Sequence, residues 1–135
     1  RMSTRHAIFG AALGLASVVA HAHHSIAAVY DSSRERRLEA VVAEFKFVNP
    51  HPFVIVTVDE DGAEQSWRLE MDNRFELAQV GMTDTTLKRG DRVIVTGSAG
   101  RTEPRTLYIL RLDRPADGFR YEQVGSRPRV STVRR

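Results

Sequence analysis

Residues 53–71 read FVIVTVDEDGAEQSWRLEM, and this stretch decides the fold. Two apolar-rich runs flank Asp59-Glu60-Asp61-Gly62, a turn sequence in which Gly62 is free to take a positive φ. The first run, Phe53 to Val58, is apolar at nearly every position, which predicts a strand covered on both faces. In the second, Trp67, Leu69 and Met71 alternate with Arg68 and Glu70, the period of a half-buried strand. A β-hairpin therefore lies near the middle of the chain.

Working outward, Val41, Ala43, Phe45 and Phe47 alternate with Glu44 and Lys46 and predict a strand beginning at Val41. Downstream, Asn73 to Val80 reads as a short helix: Phe75 or Glu76 begins its periodic face, Leu77 and Val80 complete it, and Gly81 stops it. A turn-like segment from Thr83 to Leu87 leads through Lys88-Arg89-Gly90-Asp91 to two further strands, Arg92–Gly97 and Thr106–Leu112. Five strands with one helix between the third and fourth predict an all-β domain over residues 37–114, a five-stranded OB-like antiparallel barrel. After Pro115 the apolar pattern gives way to Arg, Gly, Pro and Ser, so residues 115–135 are expected to form a mostly disordered basic tail.

The chain has 135 residues, enough for one domain and one modest core. It has no cysteine, which excludes disulfides, zinc-thiolate and iron–sulfur centres and thiol nucleophiles. The net charge of +3 is unevenly spread. Leaving out Arg1 and Arg5 gives 18 basic against 17 acidic residues; leaving out also Arg127, Arg129, Arg134 and Arg135 gives 14 against 17. The body is slightly acidic, a poor footprint for nucleic acid. At the N-terminus, Arg5, the apolar run Ala7–Ala20 and Ala20-His21-Ala22 read as a secretory signal peptide over residues 1–22. The apolar run falls short of the roughly 20 residues a membrane span requires. The expected mature protein is periplasmic or secreted, begins at His23 and carries residues 23–36 as an N-terminal extension.

His23-His24-Ser25, Tyr30-Asp31, Phe47-Val48-Asn49-Pro50-His51, Trp67-Arg68-Leu69-Glu70 and Leu87-Lys88-Arg89-Gly90-Asp91 follow one another at short spacings. This string resembles a family of small exported bacterial proteins catalogued as domain of unknown function 6152, over roughly His23 to Leu112. Two positions depart from that pattern: Phe47 and Met82 stand where tryptophan is frequent, and both keep a large apolar side chain. The resemblance implies export and a compact β-domain; the family name assigns no activity and leaves function to the residues.

Chemistry therefore rests on the residues, and the histidines carry it. Cleavage after Ala22 leaves His23, His24 and His51. An N-terminal His offers its α-amine and ring nitrogen to one metal, and a second imidazole would complete a three-nitrogen set suited to tetragonal copper(II). His51 is the distant candidate, stiffened by Pro50 and Pro52. His24 is a supporting ligand, and Asp31 is an acceptor for a ring N–H or an axial oxygen. The plainer alternative makes Asn49-Pro50-His51-Pro52 a rigid turn and His23-His24 a frayed terminus.

Other motifs are thin. Asp59-Glu60-Asp61-Gly62 lacks the spacing and closing Glu of an EF-hand, and no phosphate loop, HExxH or GxSxG is present. OB-folds bind ligands on the face of strands two and three, where Trp67, Arg68 and Phe53 are candidates, although the alternation of Trp67 with Leu69 and Met71 favours the core for Trp67. The residues point to binding rather than catalysis. The leading expectation is a copper(II)-binding exported protein; the alternative is an accessory module for an unidentified protein or small ligand, with no metal.

Overall fold

The computed structural model describes residues 22–132, with side chains from Ile26 onward. In chain order these form α1 (Ala22–Val29), β1 (Tyr30–Lys46), β2 (Phe53–Glu60), β3 (Ala63–Glu70), α2 (Arg74–Gln79), β4 (Arg92–Gly100), β5 (Thr106–Arg114), β6 (Phe119–Val124) and β7 (Arg127–Thr132). The expected signal peptide lies outside the described residues except for Ala22.

β1 is long enough, at 17 residues, to serve two neighbours. Its first part, Tyr30–Val41, pairs with β4, and Val41–Lys46 pairs with β2. The central hairpin is continuous, Phe53 opposite Glu70 through Glu60 opposite Ala63. β4 pairs with β5, and β3 closes on β5 from Arg68–Thr106 to Glu70–Tyr108. The result is a ring of five strands in the order β1-β2-β3-β5-β4. The expectation of antiparallel pairing throughout is corrected here, because β3 and β5 are parallel. Strand directions cannot alternate all the way round an odd-membered ring, so one pairing has to be parallel.

The ring encloses a core that includes Val42, Val54, Val56, Leu69, Val95 and Ile109. At Gly97 the β4–β5 register shifts, and a Cβ there would lie 2.4 Å from the main-chain oxygen of Tyr108. Only glycine lets the two backbones approach so closely.

Three further expectations are corrected. The alternation in β1 begins earlier and in the other phase: Leu38, Ala40 and Val42 are buried, and a bulge between Val42 and Glu44 returns Phe45 to the core side. One inserted residue exchanges the two faces, so the odd-numbered pattern read from Val41 holds only beyond the bulge. In β2 only Val54, Val56 and Val58 are buried; Phe53, Ile55 and Thr57 are half-buried on the outer face. Finally, residues 23–36 are no extension. They form most of α1 and the start of β1, and Arg101 ties them down by donating its backbone N–H to Val29 O (2.8 Å) and its Nε to Ala27 O (3.0 Å).

The region expected to be a loose tail is a hairpin, β6–β7, extending the sheet from β5. Tyr121 is fully buried, with Phe119 and Val130 packed against the same core. Alternation is present there, but it is spread over few apolar residues among Arg, Pro and Ser. Burial against the ring, rather than local hydrophobicity, orders the segment.

Candidate functional site

α2 begins where Asn73, in extended conformation, accepts the Glu76 N–H on its side-chain oxygen (2.9 Å), and it buries Leu77 against the core. Just before it, Met71 N–H donates to Pro52 O (2.9 Å) and Arg74 N–H donates to Pro50 O (3.1 Å). These bonds fasten the β1–β2 connection to the β3–α2 connection. His51 sits on the fastened strip, in a segment whose Asn49–Pro50 peptide is cis.

A cavity of about 340 Å³ opens at this point, lined by Ile26 of α1, Pro50, His51, Asp72, Asn73, Tyr108 of β5, and Gln123, Gly125 and Ser126 of the β6–β7 hairpin. His51 Nδ1 lies 3.1 Å from Met71 O. A carbonyl only accepts, so Nδ1 carries the proton, and in the neutral ring Nε2 holds the lone pair. Asp72, Asn73 and Gln123 of the same lining belong to a polar chain. Tyr121 O–H donates to Gln123 Oε1 (2.8 Å), Gln123 Nε2 donates to Asp72 Oδ2 (2.7 Å), and Asn73 N–H donates to Asp72 Oδ1 (2.7 Å). Asp72 is thus satisfied without drawing on His51.

Tyr108 meets Tyr30 with ring centroids 5.8 Å apart, and Tyr30 O–H donates to Glu70 Oε2 at 2.6 Å. Burial, reinforced by the hydrogen bond and charge of Glu70, holds the Tyr30 phenol well above its ordinary range. Burial does the same for Tyr108, with Asp72, Glu70 and Glu76 adding to it. Both phenols stay protonated and neutral at any physiological pH.

His23 and His24 fall in the first turn of α1, and their side chains lie outside the described residues. Ile26, three residues beyond His23, lines the same cavity as His51. The fold therefore carries the N-terminal helix to the second histidine. Asp31 is placed beside Ser33 and Arg101. Its carboxylate accepts from Ser33 N–H (3.0 Å) and Ser33 O–H (2.7 Å) and lies 3.7 Å from Arg101, and it does not line the cavity. Those two Ser33 bonds, followed by Arg101, hold the Asp31 carboxyl below the usual carboxylate range. Among the described residues no three His, Asp or Glu side chains are grouped to hold a metal ion.

The three ligand-face candidates do not share a face. Trp67 is in the core and donates Nε1–H to Glu60 Oε1 (2.9 Å), as its alternation favoured. Phe53 and Arg68 lie on the outer side, the guanidinium carbon 4.1 Å from the ring centroid, so each covers the other. Ile26, Tyr108 and Gln123 were not legible as site residues. Gln123 belongs to a hairpin the sequence hid, and Ile26 and Tyr108 reach the cavity only through strand pairing and helix placement.

Fold and cavity together define a small β-rich domain: a five-strand ring, a short helix between the third and fourth strands, and a histidine-bearing cavity beneath an N-terminal helix. The model of a family of unknown function (DUF6152) matches residues 12–107, more than half of the chain, and the chain belongs to that family. No curated protein and no solved structure matches it.

Proposed function

We propose that this chain is an exported module that binds copper(II) between a mature N-terminus at His23 and the imidazole of His51. The observation that carries the reading is that Ile26 and His51 line one cavity while His51 Nδ1–H is committed to Met71 O. A ring nitrogen fixed by a backbone acceptor orients the other nitrogen as a ligand, the arrangement found around metal-binding histidines. Copper(II) fits a set of imidazole and amine nitrogens in a chain without cysteine. His24 is the supporting donor. Asp31, occupied by Ser33 and Arg101, is left out of the set.

Export is read from Arg5, the apolar run Ala7–Ala20 and the Ala20-His21-Ala22 site. The ring order β1-β2-β3-β5-β4 with α2 after the third strand supports an OB-like barrel. The cavity is lined from α1, the β1–β2 and β3–α2 connections, β5 and the β6–β7 hairpin, and by no residue of β2 or β3.

The test titrates copper(II) into protein processed to begin at His23, followed by calorimetry and EPR. The expected result is one stoichiometric site that weakens at least tenfold in His51→Ala and when one residue is added ahead of His23. Equal, weak binding by all three proteins overturns the reading and leaves the cavity to a protein or small ligand.

A further inference from the structure

Among the described residues, four large hydrophobic side chains are exposed, Val29, Val48, Phe75 and Val124, and Phe75 lies on α2. Phe75 is the most extreme, with 70 % of its surface in water. At helical period it points opposite Leu77, so it faces directly away from the core that Leu77 enters. One flank of α2 runs along the β6–β7 hairpin: Asn73 shares a cavity with Gly125 and Ser126, and Val80 shares another with Val124, Arg127 and Arg129. On the other flank Arg74 lies 5.0 Å over the ring of Phe47 and donates Nε–H to its carbonyl, next to Val48. Val48, Phe75 and Val124 therefore share one end of the molecule, with Arg74, Arg127 and Arg129 among them.

The charges at this end are unequally used. Arg127, Arg129 and Arg74 form no ion pair within 4.0 Å among the described residues, whereas most other arginines of the body do. Two carboxylates lie nearby, Glu122 opposite Arg129 in the β6–β7 register and Glu76 on α2. Arg134 and Arg135 follow in the sequence. Separate apolar protrusions between guanidiniums, one of them an aromatic ring at the tip of a short helix, suit an interface with hydrocarbon below and anionic groups around it. Contiguous apolar patches mark protein and membrane contacts alike, so it is the guanidiniums without a carboxylate partner among the described residues that favour an anionic lipid surface.

We propose that this end of the protein rests on an anionic lipid surface, with Phe75 inserted and Arg127 and Arg129 against the headgroups. The inference is independent of copper binding.

The full chain carrying Phe75→Trp is mixed with vesicles of brominated phosphatidylcholine, alone or with phosphatidylglycerol, and tryptophan quenching is read against the unsubstituted chain. Trp67 is buried and supplies the constant background. Quenching is expected only with the anionic vesicles. Arg127→Ala with Arg129→Ala should lower the apparent affinity about thirtyfold, a factor corresponding to two guanidiniums near a charged surface. A second measurement floats the chain without Phe75→Trp on the same vesicles; Phe75→Ser should weaken its anionic binding about tenfold, residues 7–20 being unchanged throughout. No quenching, equal quenching on the zwitterionic vesicles, or no effect of the arginine pair would overturn the proposal. So would capture of an acidic polypeptide by the same residues in a chain that leaves vesicles untouched.

Discussion

His51 donates its Nδ1–H to the main-chain oxygen of Met71, 3.1 Å away and twenty residues along the chain. The bond joins the β1–β2 connection to the end of β3, and the Met71–Pro52 and Arg74–Pro50 backbone bonds hold that junction in register. It selects the tautomer that leaves Nε2 unprotonated. Long-range nitrogen–proton correlation spectra of the neutral ring should therefore show His51 as the Nδ1–H form. The Nε2 resonance should be the first lost on addition of copper(II). An Nε2–H tautomer would contradict the geometry.

Gly97 meets the backbone of β5 where a methyl group would sit 2.4 Å from Tyr108 O. The obstacle is main chain, so it cannot swing aside. Gly97→Ala should destabilise the fold by about 1–3 kcal/mol, the usual cost of forcing extra volume into a packed site. Urea unfolding measures this as a lower midpoint with an unchanged slope.

The β6–β7 hairpin should be a structural part of the domain. Tyr121 is fully buried, and its hydroxyl donates to Gln123 Oε1. Tyr121→Ala should cost about 3–5 kcal/mol, the range for emptying a large aromatic site, and Tyr121→Phe only about 1 kcal/mol for one hydrogen bond. If both substitutions were neutral, the hairpin would contribute nothing to the core.

Asp113 accepts from Arg120 Nε (2.6 Å) and Arg111 Nε (2.7 Å). Burial pushes its carboxyl up, but the two guanidiniums outweigh burial and the net shift is downward. A folded value below the unfolded one adds stability above about pH 3.9, and that stability is lost as pH falls through the folded value. Asp113→Asn should therefore be less stable than the parent chain at pH 7. The difference should close in strong acid, as followed by urea midpoints across the pH range. A gap that widened on acidification would reverse the sign of the argument.

Much of the architecture was legible because it is local. The turn at Asp59–Gly62, the strands on either side of it, the short helix within Asn73–Val80 and its stop at Gly81 each follow from neighbouring residues and a short period. Even so, the phase of β1 was misread, because a single bulge after Val42 exchanges the faces, and nothing within the alternation announces it. The hairpin of β6 and β7 escaped for another reason. Its few apolar residues, Phe119, Tyr121 and Val130, acquire their meaning only when the ring offers a core to bury them in.

The candidate site divides in the same way. His51 stood out in the sequence through its prolines, and the N-terminal histidines through their position. Asp31 entered as a supporting candidate because ligand type is visible in a sequence and direction is not; in the fold its carboxylate turns to Ser33 and Arg101. By itself, the sequence determined the five strands of the ring, the short helix after the third, their order and the residue types available for chemistry, since these depend on contacts a few residues apart. Only the tertiary structure decided that β3 closes on β5, that the C-terminal segment is part of the fold, and that Ile26 and His51 line one cavity. Those outcomes depend on pairings between residues tens of positions apart, where burial rather than local preference selects the partner.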